Sequence, residues 1–195
     1  FETGQLLAIG HDGEIQWHRS LTKEYGDFQG NHGVGTSIVQ SSNHLVLLID
    51  HSADGYLLKL SKKTGENSWK IDREKRVSWS TPVIDATVSP NQIVISSNGI
   101  VEGVSFKNGR QLWSYLGVEK NTIPSVTVTR DLILVGSSVK PSSIALPRDK
   151  AGSITMDQVS WTAENATSSM SSPLVVGENV YYVSRAGVLS CNDLK

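Results

Sequence analysis

Histidine and carboxylate are the residue types in this 195-residue chain best suited to hold a metal or move a proton. All five histidines fall within the first 51 residues, at His11, His18, His32, His44 and His51. A zinc site needs ligands at close, recurring spacing, often with cysteine nearby. No histidine pair here has that spacing, so turn and surface histidines are expected and no metal is assigned. Asp50, Asp54, Asp85 and Asp131 sit where short apolar runs begin or end, and no acidic cluster has the spacing of a calcium loop. These four are expected to be solvated turn residues. The single cysteine, Cys191, has no partner for a disulfide within the chain and no histidine near it in sequence. It is expected to be a small buried apolar residue. No catalytic residue is assigned.

Recognition chemistry has better candidates. Asp27–Gly35 is glycine-rich, but no Lys-Ser/Thr follows it and no helix is predicted after it. It therefore lacks the helix N-terminus that cradles a phosphate, and reads as a long loop available for contact. Lys70–Ser80 combines Arg73, Lys75, Arg76 and Trp79, diluted by Asp72 and Glu74. Basic and aromatic residues together can bind single-stranded nucleic acid. The net charge of −1 and pI of about 6.6 argue against a nucleic-acid partner. Trp79 with Arg76 is the expected protein-contact pair, because these residue types dominate interface hot spots. Asn165-Ala166-Thr167 fits the N-glycosylation pattern and is given little weight.

The elements that must position these residues read as strands. Apolar residues come in short runs rich in valine and isoleucine, such as Leu45–Ile49, Gln92–Ile95, Asp131–Val135 and Val180–Val183. Asp12-Gly13, Asp54-Gly55, Asn98-Gly99, Asn108-Gly109 and Ala186-Gly187 supply tight-turn signals between them. Helical periodicity is almost missing, and no apolar run reaches the length of a membrane-spanning helix. A 38% hydrophobic, 19% charged composition disfavours disorder. The chain opens on Phe1-Glu2-Thr3-Gly4, which reads as the interior of something longer and suggests an excised or processed piece.

The runs repeat. Trp17, Trp69, Trp113 and Trp161 are 52, 44 and 48 residues apart, and Gly13, Gly65 and Gly109 each stand four positions before a tryptophan. A Ser/Thr-Pro-like element opens the following strand, clearest at Ser80-Thr81-Pro82-Val83-Ile84 and Ser171-Ser172-Pro173-Leu174-Val175. One unit then reads as Pro82–Thr87, Gln92–Ser96, Gly99–Ser105 and Gln111–Tyr115. Four strands in about 45 residues is the pattern of a β-propeller blade. The tryptophans are expected to seal one blade against the next, at roughly 25 cal/mol per Å² of apolar surface buried.

The Thr64-Gly65…Trp69, Asn108-Gly109…Trp113 and Asp12-Gly13…Trp17 turns resemble the tryptophan-docking motif of the pyrroloquinoline-quinone (PQQ)-like propeller repeat family. The Ser/Thr-Pro-Val-Ile element and Gly55–Leu60 carry the same resemblance, which covers nearly the whole chain. Ser61 and Ser105 stand where that family usually has aspartate. The last repeat is degenerate, with Asp157 at the glycine position and Pro141–Gln158 expected as an enlarged loop. The resemblance implies one of two branches. Quinoprotein dehydrogenases hold PQQ and calcium in an eight-bladed ring. Non-enzymatic propellers include a lipoprotein of the bacterial outer-membrane barrel assembly machinery. One cysteine rules out the vicinal disulfide of many such enzymes.

The expectation is therefore an all-β arc of about four four-stranded blades, residues 1–195 forming one partial domain with repeats ending near Trp17, Trp69, Trp113 and Trp161. The arc is expected to belong to a seven- or eight-bladed propeller, or else to form a closed small propeller or a homodimer that completes a ring. The leading function is a non-catalytic, cofactor-free scaffold for a protein partner in the periplasm or cell envelope, with membrane attachment through a lipid anchor outside this chain. A quinoprotein dehydrogenase fragment using PQQ and calcium is second. A cytoplasmic WD-type module is third, disfavoured because Gly-His…Trp-Asp signatures are missing.

Overall fold

In the computed structural model, which describes residues 3–30, 32–118, 120, 122–137, 143–163 and 169–195, the strands form five successive antiparallel sheets. The first holds β1 (Gln5–Ile9) and β2 (Ile15–Ser20), followed by the one-turn helix α1 (Leu21–Tyr25). The second runs in order through β3 (Val39–Gln40), β4 (His44–Ile49), β5 (Gly55–Ser61) and β6 (Asn67–Arg73). The third runs through β7 (Val83–Asp85), β8 (Gln92–Ser97), β9 (Ile100–Ser105) and β10 (Gln111–Leu116). These four strands match the unit read from the sequence to within two residues. The fourth contains β11 (Thr127–Val128), β12 (Leu132–Gly136), β13 (Ser143–Pro147) and, after the short strand β14 (Gly152–Ile154), β15 (Trp161–Ala163). The fifth contains β16 (Leu174–Val176), β17 (Asn179–Val183) and β18 (Leu189–Asp193). Consecutive strands pair in order, so each sheet is a meander and the whole is a propeller arc.

The middle strands explain the continuous apolar runs. In the second, third and fourth sheets each lies between two neighbouring sheets, so both of its faces are buried. Val46 and Leu48 of β4 pack with Ile93 and Ile95 of β8, while Leu47 and Ile49 face back toward Leu6 and Leu21. On the far side of β8, Val94 joins Ile133 and Val135 of β12, whose Leu134 in turn meets Val180 and Tyr182 of β17. The core is therefore four layers between blades, and the two-residue side-chain period of each strand assigns alternate residues to alternate layers. Burying one such Leu or Ile side chain contributes about 1.5–3 kcal/mol.

Two polar devices repeat along the arc. Trp17 Nε1 donates to the carbonyl of Lys62 at 2.9 Å, Trp69 to Phe106 at 3.3 Å and Trp161 to Leu194 at 3.1 Å. Each acceptor is the first residue after the third strand of the next sheet. The Thr-Gly turn serves this dock twice. Gly65 adopts φ +72°, and a Cβ on it would come within 2.7 Å of the Trp17 ring. The second device is a ladder two residues ahead of each first strand. Ser37 N–H donates to Thr81 Oγ1 (3.0 Å), Thr81 N–H to Ser125 Oγ (2.9 Å) and Ser125 N–H to Ser172 Oγ (3.0 Å). The Ser/Thr of the Ser/Thr-Pro-like element is thus the hydroxyl that receives the previous blade's amide.

Two expectations need correction. Pro141–Gln158 is more than an enlarged loop. Its first two residues lie outside the described residues, but Ser143–Pro147 is the regular third strand β13, pairing with both β12 and β15. Gly152–Ile154 then leaves its own sheet and pairs in parallel with β10 of the preceding one, Trp113 opposite Gly152. Cys191 is exposed rather than buried, on an outward position of the edge strand β18. The glycosylation triplet Asn165-Ala166-Thr167 lies outside the described residues.

Candidate functional site

The segment joining β6 to β7 carries the predicted contact pair. Its even positions are tied down: Ser78 Oγ donates to Asp50 Oδ2 at 2.8 Å, and Ser80 Oγ donates to the carbonyl of Ser96. Trp79 lies between these two buried serines, so its side chain turns the opposite way and stays half-buried. Its backbone N–H donates to the carbonyl of Thr122 at 2.7 Å, tying the segment to the loop ahead of the fourth sheet.

The glycine-rich loop meets this tryptophan. A Cβ on Gly35 would come within 2.6 Å of Trp79 Cδ1, so glycine is what lets the backbone approach the ring. His32 stands edge-on to the indole with centroids 6.0 Å apart. The loop is held from its other end by His51, whose Nδ1 accepts the N–H groups of Gln29 (3.1 Å) and Ala53 (3.3 Å). Burial lowers the His51 pKa against the pull of Asp50 and Asp54, which suits a neutral ring whose Nδ1 accepts. His51 is therefore a buried clamp, not a surface histidine. Two segments that looked unrelated in sequence form one surface.

Arg76 is placed differently. Its Nη1 donates to the carbonyl of Asn98 at 2.8 Å and its Nη2 pairs with Glu74 at 3.3 Å. It lines a cavity of about 290 Å³ with Arg73, Glu74, Glu102 and Gln111. The structure anchors Arg76 to the β8–β9 turn and Trp79 to the glycine-rich loop. Each is fixed by its own partners.

Beneath this surface lies chemistry that the sequence reading assigned to solvent. Asp50 is buried; one carboxylate oxygen accepts Arg73 Nε at 3.1 Å and the other accepts Ser78 and Ser97 hydroxyls at 2.8 and 2.6 Å. Arg73 also pairs with Glu102, whose other oxygen accepts Gln111 Nε2 at 2.9 Å. Burial by itself would lower the Arg73 pKa, but the two carboxylates raise it above the ordinary value. Asp85 is likewise buried, held by Nε and Nη2 along one edge of the Arg148 guanidinium and by Gln92 Nε2 at 3.2 Å. Desolvation pushes Asp85 up, yet Arg148, Gln92 and Thr87 together bring it down to about 2. Asp50 and Asp85 are thus inter-blade ties, contrary to the solvated-turn expectation, whereas Asp54 and Asp131 are exposed as expected. Their partners come from distant parts of the chain. For the Asp50 cluster, the signal that could have exposed it was Glu102, a charge inside the apolar run Ile100–Ser105.

The donor set does not fit a calcium-held quinone. Among the described residues no three His, Cys, Asp or Glu side chains gather as a cation site, and the buried carboxylates are engaged by Arg73 and Arg148.

Comparison with known proteins completes the picture. A family model described as outer membrane protein assembly factor BamB matches residues 2–195. None of the curated proteins matches the chain in sequence. BamB from Moraxella catarrhalis superposes with a TM-score of 0.68 at 18% identity, over 99% of this chain and 53% of its own. The chain therefore spans about half the length of that relative. The computationally designed Ika4 protein gives 0.62 at 13% identity, over 87% of this chain and 96% of its own. Quinohemoprotein alcohol dehydrogenase from Comamonas testosteroni gives 0.62 at 12% identity, over 78% of this chain and 32% of its own. At these identities the structural likeness is one of fold.

Proposed function

Because the chain belongs to the outer membrane protein assembly factor BamB family, we propose that it is a non-catalytic binding scaffold acting outside the cytoplasm, with residues 1–195 as one propeller domain. The observation that carries this reading is the family match across residues 2–195. The site geometry supports it. Rigid blades hold a half-buried tryptophan in a collar of glycine and histidine, and amphipathic aromatics on a stiff frame suit protein recognition. Trp79 is the proposed contact, with Arg76 contributing from earlier in the same segment. The partner would be a protein of the cell envelope.

The test is capture from a solubilised bacterial envelope fraction by the immobilised chain. Wild type is expected to retain specific envelope proteins, and Trp79→Ala with Arg76→Glu to lose most of that retention. In parallel, PQQ and calcium are added while thermal midpoint and dye reduction are followed. Dye reduction, or a midpoint raised only when both are present, would overturn the scaffold reading in favour of quinoprotein chemistry.

A further inference from the structure

The turn between β4 and β5 grips the glycine-rich loop at one residue, Gln29. Its N–H donates to His51 Nδ1 at 3.1 Å, and its carbonyl accepts the Ser52 N–H at 2.9 Å. The Ala53 N–H donates to the same Nδ1 at 3.3 Å. One bare ring nitrogen therefore receives two amides, one from each segment. Further along the loop, Val34 is buried in the core of the second sheet and fixes Gly35 against Trp79 independently of His51. His32 lies between these two anchors, edge-on to the indole with centroids 6.0 Å apart. It is flanked by Gly30 and Gly33, which adopt φ +122° and +61°.

A proton on Nδ1 turns this acceptor into a donor, and an imidazolium ring has no acceptor left. Both amides then face an N–H, so the ring must turn away from Gln29. The charged groups facing His51 are Asp50 and Asp54 from its own segment. Behind Asp50 stands Arg73 of β6, its Nε 3.1 Å from that carboxylate. From the loop the ring faces Phe28, with centroids 5.7 Å apart. The two carboxylates favour the charged ring and burial outweighs them, so the gripped ring binds a proton less tightly than its ordinary value of 6.5 implies. A freed ring regains that value. The grip is therefore complete above about pH 6.5 and is lost as pH falls through the lowered value.

We propose that His51 is a proton-operated latch on the Trp79 surface: with Nδ1 bare it holds the loop that sets His32 against the indole, and with Nδ1 protonated it releases Gln29 and frees His32 from the ring. Gly35 stays in place, because Val34 remains in the core, so the change is confined to the His32 side of the indole. The latch goes beyond the scaffold reading: it needs no partner, and its test uses the chain alone.

The test is an NMR titration of the ¹⁵N-labelled chain from about pH 7.5 to about pH 4.5. It follows the His51 ring nitrogens, the Gln29 and Ala53 amides, and the cross-relaxation between the His32 and Trp79 rings. All three are expected to change with one midpoint below 6.5. Protection of the two amides against exchange, corrected for its intrinsic pH dependence, is expected to fall on the order of tenfold. His51→Asn keeps an acceptor where Nδ1 stands but takes no proton. It is expected to hold both amides protected, and His32 against Trp79, across the whole range. His32→Gln removes the other titrating ring beside the indole and is expected to leave the amide response in place. If His51→Asn does not fold, the shared wild-type midpoint decides alone. His51 titrating while the two amides stay protected would overturn the latch. So would amides that open while His32 stays on Trp79, an amide response that persists in His51→Asn, or one that disappears in His32→Gln.

Discussion

The second and third sheets are joined by a tryptophan dock outside and a three-charge cluster inside; the third and fourth are joined by neither in that form. At the first junction Trp69 crosses to the Phe106 carbonyl, and Arg73 lies between Asp50 and Glu102. At the second, Trp113 turns back to Gln92 while one guanidinium, Arg148, crosses to one carboxylate, Asp85. The strand β14 then extends the third sheet beyond β10, in parallel. The difference teaches that the blade repeat specifies a spacing rather than a contact. Two different combinations of apolar cover and matched charge hold these neighbouring blades together.

This comparison can be broken experimentally, most severely at Arg73. Arg73→Met leaves Asp50 and Glu102 buried without a cation and is expected to cost about 3–5 kcal/mol, read from urea denaturation. A loss under 1 kcal/mol, on the order of an exposed pair, would mean the cluster is solvated. Next come the indoles. Trp113→Ala should cost about 3–4 kcal/mol, and Trp69→Ala, half-buried, roughly half as much. Equal losses would mean the rerouted ring is no better sealed than the docked one.

Acid sharpens the contrast. The folded-state pKa of Asp85, about 2, lies below its ordinary value of 3.8. A depressed carboxylate contributes stability that is present above the unfolded pKa and lost as pH falls through the folded one. The wild type should therefore lose on the order of 1–2 kcal/mol between about pH 4 and pH 2 through this group. Arg148→Ala should lower stability at neutral pH and flatten that part of the acid profile; an unchanged slope would sink the assignment. The smallest effect belongs to the hydroxyl ladder. Ser125→Ala removes the acceptor for Thr81 N–H and should cost about 0.5–1.5 kcal/mol, with hydrogen exchange at the Thr81 amide speeding up as the direct check.

The blades were legible in the sequence because their cause is local. Tryptophan spacing, turn glycines and short β-branched runs each act within one repeat, and Gln92–Ser97 and Ile100–Ser105 fall where those signals place them. What was not legible depends on pairings between repeats. Asp50 finds Arg73 after 23 residues and Asp85 finds Arg148 after 63, and nothing beside either aspartate announces a partner. Lys59, buried with its ammonium over the Phe106 ring at 3.9 Å, was missed for the same reason. β14 escaped because three residues, Gly152-Ser153-Ile154, carry no pattern of their own. Trp79 stands outside the repeat period, but its collar is not legible, because Gly35 and His32 reach it from a loop 44 and 47 residues earlier.

The run of hydroxyls from Thr81 to Ser172 has a direction, since Thr81 and Ser125 each offer an oxygen backward and an amide forward. A linkage of this kind contains no centre and no mirror, so no rung knows how many others there are. A duplicated unit brings its own half of both bonds with it. Propellers of different sizes can therefore arise by copying or deleting whole units, with selection left to tune curvature alone.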